Sequence, residues 1–240
     1  MLKIENLNFT VDDEGSDKEI IQDLSLTLGD NKFIVITGPN GGGKSTLAKL
    51  IAGIEKPSSG KIIYNGTDIT EMDVTDRARM GISYAFQQPV RFKGLQVLDL
   101  IRLASGIPNL SIADACQYLS AVGLCAADYI NREINASLSG GELKRIEIAT
   151  VLARKSDLTI FDEPEAGIDL WSFQNLIQVF QKMRDEIHGT IVIISHQERI
   201  LNIADEIIVL ANGTVTRTGT TEILPELLAG GSAVSSCDKF

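Results

Sequence analysis

Residues 38–46 read Gly-Pro-Asn-Gly-Gly-Gly-Lys-Ser-Thr and directly follow the apolar run Phe-Ile-Val-Ile-Thr at 33–37. They match the pattern G-x-x-x-x-G-K-[ST], in which glycines let backbone N–H groups surround phosphate oxygens. The apolar run predicts a strand buried on both faces of a parallel sheet. The residues from Ser45 onward predict a helix, whose N-terminus also attracts anions. A glycine-rich turn without function is the alternative, and the flanking strand and helix argue against it.

The loop gives each of its polar groups an expected role. Lys44 is expected to reach the β- and γ-phosphates of a nucleotide, and the Ser45 hydroxyl is expected to ligate Mg²⁺. The expected nucleotide-binding residues are Gly38, Pro39, Asn40, Gly41, Gly42, Gly43, Lys44, Ser45 and Thr46.

Composition and charge exclude several other kinds of protein. The chain has 240 residues, 44% hydrophobic and 22% charged, so one large domain or a core with an inserted subdomain is expected. A formal net charge of −10 disfavours nucleic acid and anionic membrane surfaces as partners. No apolar run approaches the roughly 20 residues that span a bilayer. The N-terminus lacks the apolar segment of a signal peptide, and Cys116, Cys125 and Cys237 have no metal-ligand spacing, so a cytoplasmic location is expected.

The order of predicted elements indicates a core interrupted by an insert. Apolar and polar residues alternate at 2–9 and at 23–28, which predicts two strands, and the acidic stretch 11–19 predicts a turn between them. Helical patterns follow from residue 96, with Ser111 as an expected N-cap. We expect an α/β core at 1–95 and 137–228, an inserted helical subdomain at 96–136, and a flexible tail at 229–240.

A second candidate for catalysis is the segment Leu-Thr-Ile-Phe-Asp-Glu-Pro at 158–164. An apolar strand there ends in two adjacent carboxylates, which point in opposite directions because side chains alternate along a strand. We expect Asp162 to hold the Mg²⁺ shell and Glu163 to orient and deprotonate the attacking water. The alternative is a solvated acidic end of a strand.

Three further positions have both a structural and a functional interpretation. In Leu-Ser-Gly-Gly-Glu at 138–142, Ser139 could merely cap a helix, yet Gly140 and Gly141 leave the helix N-terminus open to a phosphate. Gln87 and His196 each follow a predicted strand, where ligands bind in open α/β sheets. The alternatives are a surface glutamine and a structural histidine. His188 has only a structural interpretation.

In order and spacing these motifs resemble the ATP-binding-cassette (ABC) ATPases. Gly167-Ile168-Asp169 and Ser195-His196 add to the resemblance, which covers the chain from Leu2 to about residue 228. It implies a phosphate-loop α/β core with a mostly parallel sheet, an antiparallel β subdomain and an inserted helical subdomain.

The same resemblance implies a homodimer that forms with ATP. ATP would lie between the phosphate loop of one copy and Ser139, Gly140 and Gly141 of the other, and Asp169 would link the two sites. The residues expected to act in the first copy are Lys44, Gln87, Glu163 and His196 in catalysis, and Ser45, Gln87 and Asp162 as ligands of Mg²⁺.

A narrower resemblance is to the SufC-type ATPases of iron–sulfur cluster assembly. It rests on Ser-Gly-Gly-Glu-Leu-Lys-Arg-Ile-Glu-Ile at 139–148 and on the segments 85–94, 165–169 and 195–201. Val11 stands where most transporter cassettes have an aromatic residue against adenine, so apolar packing is expected to hold the base. The resemblance implies a soluble partner of SufB/SufD type, docked on Gln87–Gly94 and the insert.

Two other functions share these motifs. The nucleotide-binding subunit of a membrane ABC transporter has the same phosphate chemistry, so the site residues do not discriminate between the two. An ATP-gated binding module would clamp and release with little turnover. The presence of both Glu163 and His196 favours turnover.

Overall fold

The structure is a computed structural model of the chain and describes residues 1–13, 16–88, 90–135, 137–186 and 189–230. Its strands are β1 (Leu2–Asp13), β2 (Ser16–Leu28), β3 (Phe33–Thr37), β4 (Ser59–Tyr64), β5 (Thr67–Asp68), β6 (Ile82–Ala85), β7 (Leu158–Asp162), β8 (Thr190–Ile194), β9 (Glu206–Ala211) and β10 (Thr214–Gly219). Its helices are α1 (Lys44–Ala52), α2 (Val74–Arg79), α3 (Val97–Ser105), α4 (Ile112–Ala121), α5 (Ala126–Tyr129), α6 (Gly140–Arg154), α7 (Leu170–Glu186), α8 (Glu198–Leu201) and α9 (Leu224–Gly230), with a 3₁₀ turn at Thr221–Ile223. None of these described helices is long and apolar enough to cross a membrane.

A six-stranded sheet in the order β10-β9-β3-β8-β7-β6 forms the centre of the molecule. β3 pairs in parallel with β8 and β9, whereas β10 is an antiparallel edge strand. Every residue of β3, β7 and β8 is buried. The predicted parallel core, with the 33–37 strand inside it, is confirmed.

The central sheet separates two hydrophobic cores. Phe33 and Val35 face the core that contains α6, α7 and the helices of the insert. Ile34 and Ile36 face the core that contains α1 and the antiparallel strands. Because alternate residues of a strand point to opposite faces, a strand covered on both sides needs an uninterrupted apolar run.

A second, antiparallel sheet has the order β2-β1-β4-β5. The expectation of a turn over residues 11–19 is wrong for 11–13 and 16–19, because β1 continues to Asp13 and β2 begins at Ser16, while residues 14 and 15 lie outside the described chain. Val11, Asp12 and Lys18 are exposed there, so this end of the ribbon carries charge without burying it. Two Asn-Gly pairs make tight turns with positive φ at both residues, Asn65-Gly66 and Asn212-Gly213.

Helices α3 to α5 fill the predicted insert, and its two ends meet. The Val97 N–H donates to the Arg132 carbonyl at 3.0 Å, and the Ile134 N–H donates to the Leu95 carbonyl at 2.9 Å. Ser111 caps α4, as predicted, because its hydroxyl accepts a 3.0 Å bond from the Asp114 N–H. The exact bounds of the insert stay a prediction.

Most of the predicted tail, together with His188 and Cys237, lies outside the described residues. Ala229 and Gly230 belong to α9, and residues 231–240 are not among the described residues. His188 and Cys237 are likewise outside them.

A buried arginine joins the phosphate-loop helix to the antiparallel side of the fold. The Arg77 side chain is 1% exposed. Its guanidinium donates to four backbone carbonyls, those of Leu50, Ile51, Thr70 and Met72, at 2.6 to 2.9 Å. Leu50 and Ile51 are in the last turn of α1, where a cation also complements the helix dipole.

Candidate active site

The 38–46 loop connects the C-terminal end of β3 to the start of α1. Gly38 has φ +131°, and a Cβ there would lie 2.0 Å from the Leu210 carbonyl oxygen, so only glycine fits. Gly43 precedes α1 with φ +95°. The loop therefore presents the N-terminus of α1 at the sheet edge where ligands bind in open α/β folds.

A cleft of about 500 Å³ lies over this loop. Its described lining comprises Lys18, Ile20, Asn40, Gly41, Gly42, Gly43, Lys44, Ser45, Thr46, Gln87 and Glu163. The structure therefore brings together candidates from three separate parts of the sequence.

Lys44 supplies the positive charge of the cleft. Its side chain is buried, and Nζ donates to the carbonyl oxygens of Gly38 and Pro39, each at 2.9 Å. Burial lowers the pKa of Lys44, whereas Glu163 and Asp162 act in the opposite direction. A poorly solvated ammonium gains strongly from an anionic ligand, because the ligand replaces the lost interactions with water.

Asp162 is fixed at the end of β7 by two hydroxyl groups. Ser45 Oγ donates to Asp162 Oδ1 at 2.8 Å, and the Tyr84 hydroxyl donates to Oδ2 at 2.7 Å. Burial, together with the neighbouring Asp162 carboxylate, raises the pKa of the Tyr84 phenol, so it stays a donor. Tyr84 was not among the sequence-based candidates.

Glu163 is the next residue and has a strained backbone. Its φ is +45°, which is uncommon for a residue with a side chain. Gln87 Nε2 donates to Glu163 Oε2 at 2.6 Å. The structure therefore places Gln87 beside Glu163, and the predicted role of Gln87 as a metal ligand stays a prediction.

His196 follows β8, and the residue before it is tied to the loop after β7. Partial burial and the Lys44 charge lower the pKa of His196, while Glu163 opposes them, so the imidazole is neutral at pH 7. The buried Ser195 hydroxyl donates to the Glu165 carboxylate. Glu165, which was not predicted, thus connects the strand ends that carry Glu163 and His196.

The Ser139-Gly140-Gly141 segment forms an open helix N-terminus. Ser139 caps α6, and Tyr129 and the Ser139 N–H both donate to Glu142. These two donors lower the pKa of Glu142 to about 2. A Cβ at Gly140 or Gly141 would meet nothing within 4 Å, so the described chain itself does not require glycine at either position.

The structure does not bring every predicted residue into one cleft. Within the described chain, the cleft lining includes neither the Ser139-Gly140-Gly141 segment nor Asp169. Asp169 lies before α7, where its carbonyl accepts a 2.9 Å bond from the Phe173 N–H. Gly38, Pro39, Asp162 and His196 are not in that described lining either, so a role of residues 139–141 and 169 at the nucleotide of a second chain stays a prediction.

The base side of the cleft differs from the sequence-based expectation. Val11 is 42% exposed and is absent from the described lining, whereas Lys18, its β-ladder partner, and Ile20 are in it. Ile20 supplies an apolar side chain to this lining, and the expectation that apolar packing holds the base stays a prediction. Because β1 and β2 pair along their length, Lys18 and Ile20 lie on a strand beside the cleft.

The donor set beside the loop fits Mg²⁺. Ser45 and Asp162 offer hard oxygen atoms that are already within 2.8 Å of each other. Mg²⁺ in phosphate sites takes only one or two protein oxygens and fills its octahedron with phosphates and water.

Comparison with known proteins agrees with this geometry. The family described as ABC transporter matches residues 21–166. An uncharacterised ABC transporter ATP-binding protein of Methanocaldococcus jannaschii is 37% identical over 229 residues, covering 91% of this chain and 88% of the relative. The chain therefore belongs to the ABC transporter family, and it is an ATPase of that family that binds ATP.

Two further relatives and a solved structure extend the comparison. The probable ATP-dependent transporter ycf16 of Cyanophora paradoxa is 31% identical over 241 residues, covering 95% of this chain and 91% of the relative. The sulfate/thiosulfate import ATP-binding protein CysA of Synechocystis is 33% identical, and the match spans 86% of this chain and 58% of CysA. The dimeric, ADP- and Pi-bound cassette MJ0796 superposes with a TM-score of 0.82 at 24% identity, covering 92% of this chain and 99% of that one. The predicted phosphate-loop ABC ATPase fold is confirmed.

Proposed function

We propose that the chain is an ATPase subunit that dimerises around ATP and thereby drives a SufB/SufD-type partner in iron–sulfur cluster assembly. The observation that carries the ATPase chemistry is the convergence of Ser45 and Asp162 with Gln87 and Glu163 over one phosphate loop. The identity of the partner rests on the resemblance of four sequence segments, 139–148, 85–94, 165–169 and 195–201, to the SufC-type ATPases.

Binding places the triphosphate along the loop. Backbone N–H groups at the start of α1 and the Lys44 ammonium neutralise its negative charge. Mg²⁺, when bound at Ser45 and Asp162, would supply further charge neutralisation at the β- and γ-phosphates.

Hydrolysis transfers the γ-phosphoryl group to water. Glu163 accepts a proton from the attacking water while the water oxygen bonds to the γ-phosphorus. The bond between the γ-phosphorus and the oxygen that bridges to the β-phosphate breaks, which releases ADP. Gln87 holds Glu163 at 2.6 Å, and a neutral His196 can donate a hydrogen bond to the γ-phosphate.

Dimerisation completes each site in this proposal. Residues 139–141 are absent from the described lining of the cleft, with Ser139 and Gly140 exposed and Gly141 half-buried, which supports a role at the phosphates bound by a second copy. The helix N-terminus of α6 would add a second partial positive charge to the triphosphate. The similar cassette MJ0796 is described as dimeric and bound to ADP and Pi, which supports a dimer of this chain.

The partner surface that we infer is an apolar groove beside Gln87. It measures about 190 Å³, and its lining includes Phe86, Val90, Phe92, Leu100, Leu143 and Ile146. Phe86 and Phe92 are 41% and 38% exposed, and the exposed Arg91 and Lys93 flank Phe92. Exposed aromatic and arginine side chains are common at the centres of protein interfaces. A partner in this groove would be coupled to Glu163 through Gln87.

The second candidate is the nucleotide-binding subunit of a membrane ABC transporter. It is favoured by the names of the relatives, which include import ATP-binding proteins such as CysA. The ATP chemistry and the groove would then be the same, and the partner would be a membrane-spanning protein.

Affinity capture from a detergent-free extract tests the partner, with Arg91→Glu plus Phe92→Ala as the variant. We expect the parent chain to co-purify with a SufB/SufD-type protein, and the double variant to lose that protein while keeping ATP affinity. Val74→Ala with Arg79→Glu removes a similar exposed pair on α2 and should keep the partner. A captured partner with membrane-spanning helices, found only after detergent extraction, would replace the cluster-assembly role with the transporter role.

A further inference from the structure

A buried ion pair on α6 contacts the segment that carries Gln87. Lys144 and Glu147 lie one turn apart, with 2.9 Å between Nζ and Oε2. The Lys144 side chain is 1% exposed and that of Glu147 is 15% exposed. Neither residue belongs to the described lining of the nucleotide cleft.

Both charged groups bond the backbone of Phe86. Glu147 Oε1 accepts a 3.0 Å bond from the Phe86 N–H, and Lys144 Nζ donates to the Phe86 carbonyl. β6 has already ended at Ala85, and the Phe86 ring is 41% exposed. The ion pair therefore holds the backbone one residue before Gln87, while the Phe86 ring packs edge-on against Tyr84 with 4.9 Å between the ring centroids.

The energetic cost of burying two charges indicates that this arrangement is specific. An ion pair inside a protein offsets its lost hydration only when further hydrogen bonds satisfy both groups. Here the N–H of Phe86 bonds Glu147 Oε1 and its carbonyl bonds Lys144 Nζ, while the buried Glu147 Oε2 has only the ion contact with Lys144. A well-packed apolar pair at these two positions would fill the space without any such requirement.

The ion pair also lies on a helix that has a second role. α6 begins at Gly140, so Lys144 is one turn from the segment that we assign to the second nucleotide site. In the other direction, Gln87 donates to Glu163 at 2.6 Å. Contacts thus run continuously from Glu163 through Gln87 and Phe86 to the start of α6.

We propose that Lys144 and Glu147 are positioning residues that couple Gln87 in one ATP site to the Ser139-Gly140-Gly141 segment, which serves the other. This inference rests on the dimer of the proposed function. A helix is a rigid element, so a shift of the Phe86 peptide is transmitted to the N-terminus of α6. Occupancy of the ATP site in one chain thereby shifts the N-terminus of α6 in that same chain, and this N-terminus contacts the ATP bound by the other chain.

The variant Lys144→Met with Glu147→Gln removes both charges together, which avoids leaving one of them buried and unpaired. We expect an ATP dissociation constant within about twofold of the parent value and a kcat at least tenfold lower, since misplacement by roughly 1 Å can cost about 10²-fold. Hydrogen exchange at the Phe86 amide should become faster. Lys32→Met with Glu206→Gln removes a remote ion pair of 2.7 Å and should leave kcat at the parent value.

Mixed dimers test coupling between the sites. One copy carries Glu163→Gln, so only the phosphate loop of the other copy turns over ATP. The Lys144 and Glu147 substitutions are placed in the copy that carries Glu163→Gln. They should still slow turnover by roughly tenfold, because that copy supplies its 139–141 segment to the ATP site of the other, hydrolysing copy. Unchanged turnover would overturn the coupling.

Two outcomes separate this inference from the proposed function. A parent chain that neither dimerises with ATP nor hydrolyses it refutes the proposed function itself. A parent that does both, with a double variant that turns over at the parent rate, refutes only the role of the ion pair. A double variant that loses ATP affinity together with thermal stability would show a purely structural role and would also overturn the proposal.

Discussion

The Ser45 hydroxyl and the Asp162 carboxylate, 117 residues apart in sequence, are joined by a 2.8 Å hydrogen bond. This contact fixes the start of α1 against the end of β7. Tyr84 holds the other carboxylate oxygen, so Asp162 is not free to rotate away. Two oxygen atoms are thereby held side by side next to the phosphate loop, where we propose that Mg²⁺ binds.

Lys44→Ala should abolish tight ATP binding. The triphosphate loses a buried point charge and its charge-assisted hydrogen bonds, so we expect affinity to fall by at least about 100-fold. Isothermal calorimetry measures it, with Lys49→Ala on the same helix as the control. Unchanged affinity would contradict the phosphate-loop assignment.

Glu163→Gln should keep ATP binding and slow hydrolysis by about 10²- to 10⁴-fold, the usual effect of losing a general base. A phosphate-release assay under saturating ATP and Mg²⁺ checks this. The surface substitution Glu71→Gln is the matched control. Hydrolysis at the parent rate would show that another group accepts the proton.

Gly140→Asp should prevent the ATP-dependent dimer on the Glu163→Gln background. The side chain has open space within its own chain, so the fold and ATP binding by the monomer should persist. A carboxylate at the helix N-terminus would repel the triphosphate of the second copy. Light scattering with and without ATP gives the oligomeric state, and a normal dimer would refute a shared site.

Ile20→Ala should weaken nucleotide binding by roughly fivefold, whereas Val11→Ala should leave it unchanged. Ile20 lines the cleft and Val11 does not, and removal of a packing side chain of this size is worth about 1 kcal/mol. Because apolar packing does not read the hydrogen-bonding edge of a base, ATP and GTP should bind within about tenfold of each other. Competition with a fluorescent nucleotide measures both effects.

Arg77→Met should destabilise the fold by about 3 kcal/mol, since four interior carbonyl groups lose their donor. Urea unfolding measures the free energy. Arg79→Met, which breaks only an exposed ion pair with Asp76, should change it by less than about 0.5 kcal/mol. Equal effects of the two substitutions would show that the carbonyl contacts are not stabilising.

The sequence was sufficient where local pattern and burial agree. The 33–37 run predicts a buried strand, because a strand covered on both faces needs an unbroken apolar run, here four apolar residues followed by the buried Thr37. The loop after it and the carboxylates at 162 and 163 were found for the same reason. Each follows a strand end that the pattern marks clearly.

The sequence was insufficient where tertiary contacts decide the role of a residue. Tyr84 looks like an ordinary strand residue, and its role depends on Asp162, which is 78 residues away. Glu147 has the spacing of a surface i,i+3 pair with Lys144, yet the pair is buried against Phe86. The acidic strand ends at 11–13 and 16–19 do not follow from the sequence because their charges oppose the strand pattern, while β-ladder pairing between the two strands stabilises them.

The paired ends of the insert have a consequence for how such a protein diversifies. Because Leu95 and Val97 bond directly to Ile134 and Arg132, the core meets the insert as two adjacent chain ends, whatever lies between them. The length and sequence of the intervening helices can then vary without changing the distance that the core has to bridge. A change of partner would need new residues on the insert and on the facing side of α6, where Leu143 and Ile146 pack. Evolution of the insert could thus change the partner protein of such an ATPase, while the residues of the ATP site stay the same.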